Sequence, residues 1–85
     1  MGKVKVVIDW QEAEADGVSG ACGDAFYHVD LHGVRVGAWT LSFETADAPE
    51  RVVAKGRAKT RSGAITAGKL AALAHARKEA KNVDS

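Results

Sequence analysis

Arg51 to Lys81, RVVAKGRAKTRSGAITAGKLAALAHARKEAK, decides the fold of this chain because its pattern changes half-way along. Arg51 to Ala58 has Val52, Val53 and Ala54 as an apolar centre. Gly56 interrupts it, and Lys55, Arg57 and Lys59 alternate outward beyond that point. This reads as a short strand. From about Gly63 to Lys81 the composition shifts to Ala, Leu and Lys, all good helix formers. Ser62 is placed to cap that helix, since its hydroxyl can accept from an unpaired amide of the first turn. At roughly 100° per residue, Ile65, Leu70, Ala72, Leu73, Ala76 and Ala80 cover one broad face, with Lys69 inside the arc. Ala64, Ala67, Ala71 and Ala74 form a second, small-residue face beside His75, Lys78 and Lys81. Gly63 and Gly68 each weaken the helix by roughly 1 kcal/mol relative to Ala. A lone helix of this length is marginal in water, so burial of the Ile65/Leu73 face is expected to hold it.

Working back towards the N-terminus, residues 3–14 read as a strand. Val4, Val6, Ile8 and Trp10 point one way, and Lys3, Lys5 and Asp9 the other. Asp16 to Asp24, DGVSGACGD, has three glycines and no periodicity, and reads as a mobile loop. Residues 25–31 form a second strand, with Tyr27, Val29 and Leu31 on one face and Phe26, His28 and Asp30 on the other. One of Phe26 and Tyr27 is therefore expected to be exposed, together with Trp39, and available to a protein partner. His32-Gly33 sits where a two-residue hairpin turn would fall. Residues 34–44 form a third strand whose large apolar residues change face at Gly37, where a bulge or strong twist is expected. Thr45 to Glu50, TADAPE, holds the single proline and reads as a turn before the fourth strand, residues 51–58.

These elements predict a single α+β domain over residues 1–85, an antiparallel sheet of three to four strands with one C-terminal amphipathic helix, residues 63–81, on one face. No apolar run approaches the roughly 20 residues that span a bilayer. MGKVKVVIDW lacks the apolar core of a secretory signal. One cysteine, Cys22, cannot form an internal disulfide, which fits a reducing compartment and a cytoplasmic protein.

Charge is the strongest functional signal. Residues 51–81 carry nine Lys or Arg against Glu79 alone, a balance of +8. Residues 1–50 carry three bases and nine acids, −6, and Asp84 completes the net +1. Such a dipole points to a binding role. Lys55, Arg57, Lys59, Arg61 and Lys69 surround the start of the helix, with Arg77 and Lys78 further along it. A helix N-terminus presents free amides to an anion, and phosphate contact needs only Lys and Arg. The run lacks the interleaved aromatics of a single-strand stacking platform, which favours backbone or duplex contact. Glu12, Glu14 and Asp16 make an alternative acidic surface.

Other chemistry finds less support. His28, Asp30 and His32 with Cys22 have the composition of a metal shell but no metal-ligand spacing. Cys22 with a His and an Asp can be drawn as a nucleophile set, without an activating environment. His75 stands alone and is expected to be exposed. GAITAGKL has two glycines and a lysine at Walker spacing, but Leu70 stands where magnesium needs Ser or Thr. No catalytic residue, metal or cofactor is therefore assigned.

The segment Gly56-Arg57-Ala58-Lys59-Thr60-Arg61-Ser62-Gly63-Ala64 resembles the strand-to-helix junction of short bacteriophage and prophage proteins, including small anti-CRISPR inhibitors. That resemblance implies a non-enzymatic inhibitor docking on a host nucleoprotein complex. The order strand-strand-strand-helix is also similar to double-stranded-RNA-binding-like folds, including antitoxins of the HicB type, though without the leading helix of a true double-stranded-RNA-binding domain. The arm-binding domains of phage integrases share three strands and a helix. The expected function is that of a small phage- or mobile-element-type accessory protein, monomer or homodimer and away from membranes. It binds a nucleic acid or host nucleoprotein complex through Lys55, Arg57, Lys59, Arg61, Lys69, Arg77 and Lys78. The alternative is a protein-interaction module or antitoxin-like regulator whose Glu12, Glu14 and Asp16 mimic nucleic acid.

Overall fold

The computed structural model describes residues 6–14, 16–32 and 37–83, the last four as backbone. Five strands precede one helix: β1 (Asp9–Trp10), β2 (Gly17–Cys22), β3 (Ala25–Leu31), β4 (Ala38–Thr45), β5 (Ala48–Arg57) and α1 (Arg61–Val83). The sheet order is β1-β2-β3-β4-β5 and every neighbouring pair is antiparallel. The helix packs on one face of this meander. The α+β class is as expected, but the sheet has five strands rather than three to four.

The additional strand is β2, inside the stretch whose glycines suggest a loop. Its apolar cover comes from a neighbour. Gly20 pairs with Trp10, and a Cβ on Gly20 would stand 2.6 Å from the Trp10 ring and 2.8 Å from Ile8. The opposite edge repeats the device: Trp39 pairs with Gly56, whose Cβ would stand 2.7 Å from the indole. An aromatic laid over a cross-strand glycine covers backbone that the glycine itself leaves bare.

Alternation at the N-terminal side holds: Val6, Ile8 and Trp10 pack against the core, while Val7 and Asp9 are exposed. Only Asp9–Trp10 pairs as strand, so the expected strand over 3–14 is much shorter; residues 3–5 lie outside the description. In β3, Tyr27 and Val29 are buried and Phe26 is the exposed ring, at 48%. Trp39, expected at the surface, is buried. A turn at His32-Gly33 would pair Leu31 with Val34. The ladder pairs Leu31 with Trp39 instead, and β4 begins at Ala38. Gly33 to Val36 lie outside the description. Gly37 has φ +85°, and a side chain there would run into the Ala58 carbonyl, so glycine is required. Its own carbonyl accepts from Ala58 N at 2.8 Å, tying the start of β4 to the end of β5. Beyond it Trp39, Leu41 and Phe43 all face the helix.

The turn before β5 shrinks to Ala46-Asp47, because Ala48 already pairs with Thr45. Pro49 is tolerated because β5 is an edge strand. The register slips twice, between Leu41 and Ser42 and between Phe43 and Thr45. The second slip sets Pro49 and Glu50 opposite Glu44 alone, a β-bulge.

The buried helix face overlaps the expected one at Ala72 and Ala76, with Ile65 packed against the core, but is rotated away from Leu70. Ala64, Gly68, Ala72 and Ala76 are buried, one every fourth residue, whereas Leu70 is 62% exposed. A Cβ on Gly68 would stand 2.5 Å from Val29. The helix is seated on small residues so that Tyr27, Val29, Leu41 and Phe43 can fill the space beneath it. The cap also differs. Thr60, not Ser62, precedes the first turn, and its Oγ1 accepts from Gly63 N at 3.0 Å while its carbonyl accepts from Ala64 N at 3.0 Å. The side chains of Ala80 and Lys81 lie outside the description.

Candidate functional site

Strand direction fixes where the charges fall. β2 and β4 begin, and β3 and β5 end, at one end of the sheet, where α1 also starts. Lys55 and Arg57 stand opposite Thr40 and Ala38, on the face away from the helix. Both are exposed, as are Lys59 and Arg61 in the link to α1. A shallow depression runs along this edge between His32, Trp39, Thr40, Lys55 and Arg57. His32 Nε2 and Thr40 Oγ1 lie 3.2 Å apart at its rim. The first turn of α1 holds no acid of its own.

The seven sequence-predicted bases are not one surface. Lys55, Arg57, Lys59 and Arg61 cluster at the strand–helix junction. Lys69 lies on the other flank of the helix, its Nζ 5.6 Å from the centre of the Trp10 ring. Arg77 and Lys78 are exposed further down α1. At about 1.5 Å per residue, Arg77 is roughly 24 Å along the helix from Arg61. Among the described residues no Lys or Arg pairs with a carboxylate; the two close carboxylate contacts of a basic side chain are both made by the His28 imidazole.

The acidic set does converge. Glu12, Glu14 and Asp16 line a hollow of about 200 Å³ with Asp30, Gly17 and Ser19. Glu14 and Gly17 pair backbone to backbone, and Leu31 N donates to the Asp16 carbonyl at 2.9 Å, which pins this loop to the sheet. Asp30 joins through the register Gly17↔Asp30, a relation that sequence alone does not expose. Arg61 Nη2 donates to the Glu14 carbonyl at 3.4 Å, so the acidic hollow and the basic junction adjoin at one end of the molecule.

The face away from the helix holds a row that the sequence reading missed. Ser19 Oγ lies 2.9 Å from His28 Nδ1, and His28 Nε2 lies 2.9 Å from Glu44 Oε1 and 4.0 Å from Glu50 Oε2. The row crosses β2, β3, β4 and β5. Cross-strand pairing makes it: Ser19 opposes His28, which opposes Ser42, and the bulge presents Glu50 beside Glu44. The order hydroxyl–imidazole–carboxylate is that of a nucleophilic relay, which also needs amides to hold an oxyanion. The backbone around Ser19 is engaged in pairing instead, with its carbonyl accepting from Gln11 N at 2.8 Å.

The grouping of Cys22 with the histidines is not formed. Cys22 pairs with Ala25 and packs against the core on the helix side, whereas His28 and Asp30 face the other way. His75, expected to be exposed, is half-buried and hydrogen-bonded to Tyr27 at 2.8 Å. Burial lowers the His75 pKa below its usual 6.5; Glu79 opposes this and Arg51 and Lys78 add to it. Burial likewise pushes the Tyr27 phenol well above its usual range, with Cys22 and Glu79 contributing.

Comparison with protein-family models, curated proteins and solved structures finds no match to this chain. No described helix is long and apolar enough to cross a membrane.

Proposed function

We propose that this chain is a small binding module that docks on a nucleic acid or nucleoprotein complex through the junction of β5 and α1. Lys55, Arg57, Lys59 and Arg61 form the docking edge. The observation that carries this reading is that these four exposed bases fall together at the strand–helix junction and, among the described residues, none pairs with a carboxylate. Cations beside a helix N-terminus whose first turn holds no acid give sequence-independent affinity for phosphates. Lys69, Arg77 and Lys78 stand apart from that edge and contribute only to the general field. An accessory or inhibitory role of the phage type, in the cytoplasm, fits such an edge.

A second reading has its own support. The convergence of Glu12, Glu14, Asp16 and Asp30 on one hollow suits a basic partner, which the acids would engage as a mimic of nucleic acid.

The test is titration against labelled duplex DNA, duplex RNA and single strands at two salt concentrations. Saturable binding is expected, weakening steeply with salt. With a slope of about −0.9 per duplex phosphate contacted, four bases set a limit near −4 in the log–log plot. Lys59→Glu with Arg61→Glu abolishes binding, while Glu12→Lys with Glu14→Lys leaves it intact. Absence of binding at low salt overturns the first reading. Capture of a basic protein that is lost in the Glu12/Glu14 variant establishes the second.

A further inference from the structure

The geometry points to His28, Glu44 and Glu50 as a binding site for a divalent transition-metal ion of the zinc class, on the sheet face away from the helix. It stands on residues separate from the basic edge and does not depend on the reading above.

The donors come from three adjacent strands and converge. One imidazole nitrogen and two carboxylate oxygens all lie within 4.8 Å of one another. A tetrahedral zinc ion with bonds of about 2.0–2.2 Å places its ligand atoms about 3.4 Å apart. The separations from His28 Nε2, 2.9 Å to Glu44 and 4.0 Å to Glu50, bracket that value, so small side-chain rotations complete the shell.

Charge points the same way. Two carboxylates face one imidazole, and among the described residues neither pairs with a Lys or Arg. Glu50 Oε2, at 4.0 Å, is too far for a hydrogen bond to the ring. The pair of carboxylates gives the cluster an anionic character that favours an added cation. The ring nitrogen selects a transition metal over magnesium or calcium, which prefer oxygen throughout.

The support is also in place. Histidine ligands usually engage their second nitrogen in a hydrogen bond that fixes ring orientation and tautomer. Ser19 Oγ does this at 2.9 Å from Nδ1. Its hydroxyl serves both states. Without the ion it donates to Nδ1 while Nε2–H donates to Glu44. With the ion the ring proton moves to Nδ1, which donates to Ser19, and Nε2 is released to the metal. Glu44 and Glu50 are 40% and 52% exposed, so the ion can enter from solvent and keep a water in its fourth position.

The experiment is zinc titration of the metal-stripped full chain by calorimetry, alongside imidazole nitrogen NMR. It uses a Cys22→Ser background, because the free thiol on the opposite face is itself a zinc ligand. One saturable site per chain is expected, with His28 moving to the Nδ1–H tautomer as zinc is added. His28→Gln and Glu50→Gln lose the site. Ser19→Ala weakens it about 10- to 100-fold, and His32→Gln leaves it unchanged. The inference is overturned by no saturable zinc binding, by a His28 resonance that zinc does not move, or by undiminished affinity in folded Glu50→Gln. The NMR readout on the parent chain keeps the test decisive even if His28→Gln fails to fold.

Discussion

The Tyr27 hydroxyl and the His75 imidazole lie 2.8 Å apart across 48 residues of sequence, the one hydrogen bond between two side chains that joins sheet to helix among the described residues. Tyr27 is 1% exposed and His75 is its one partner there, so the phenol proton is satisfied only if it donates to Nδ1. The histidine is thereby held neutral with its proton on Nε2. Phe43 completes the group, its ring centre 4.9 Å from Tyr27 and 4.7 Å from His75, with the Arg51 guanidinium 5.4 Å above it. Tyr27→Phe removes the hydrogen bond and keeps the ring stack. It should cost about 1 kcal/mol in chemical denaturation and leave the circular dichroism spectrum unchanged.

The same contact makes stability depend on pH. His75 has its folded-state pKa lowered below 6.5, chiefly by burial, so the unfolded chain takes up the proton first as pH falls. The stabilisation is complete above pH 6.5 and is lost below it, down to the folded-state pKa. Denaturant midpoints between pH 8 and pH 5 should decline in the parent. His75→Phe should flatten that part of the decline. An identical slope in both would remove His75 as its source.

Gly68 is required for helix seating despite its poor helix propensity. Gly68→Ala gains about 1 kcal/mol of propensity but drives a methyl group to 2.5 Å from Val29. Overpacking of this kind costs about 1–3 kcal/mol, so net destabilisation is expected. In a Val29→Ala background the two closest contacts are gone and only the Cβ at 3.2 Å remains, so the same substitution should cost much less or become stabilising. Thermal melts of the four proteins give the difference.

Thr60 closes the first turn of α1. Thr60→Ala should cost about 1 kcal/mol, whereas Ser62→Ala, on a helix residue without a capping bond, should stay within about 0.5 kcal/mol. Equal losses would return the cap to Ser62.

Leu70 and Leu41 separate surface from core. Leu41 is fully buried, and Leu41→Ala should cost about 2–5 kcal/mol. Leu70→Gln should change stability by no more than about 0.5 kcal/mol, as urea midpoints will show.

How much of this was legible in the sequence differs by element. Alternation placed β3 and its inward set of Tyr27, Val29 and Leu31, because a strand with one face on the core writes that face into every second residue. β2 was hidden because the cover over Gly20 comes from Trp10, on another strand. The helix face was only partly legible: Ala72 and Ala76 do face the core, but hydrophobic weighting favours Leu70, while the seat is chosen for closeness and so for Ala and Gly. The basic edge was visible as a charge run, but Lys69, Arg77 and Lys78 separate from it through helix geometry. The His28–Glu44–Glu50 cluster had no signature at all. Its members are 16 and 6 residues apart, and the bulge that aligns the last two exists only once β4 and β5 have paired.

The meander has a temporal consequence. Each strand pairs only with its neighbours in the chain, so the sheet can zip in the order of synthesis with short loop closures. The helix follows every strand and covers the sheet last. Until it docks, Tyr27, Val29, Leu41 and Phe43 form an open apolar floor, the kind of surface that invites self-association during folding. The late step is brief only if the helix settles at once, and a row of small side chains lets it land without large rotamers having to interdigitate. Hindering that step, as Gly68→Ala would, should appear as concentration-dependent loss of refolding yield alongside the lowered melting temperature.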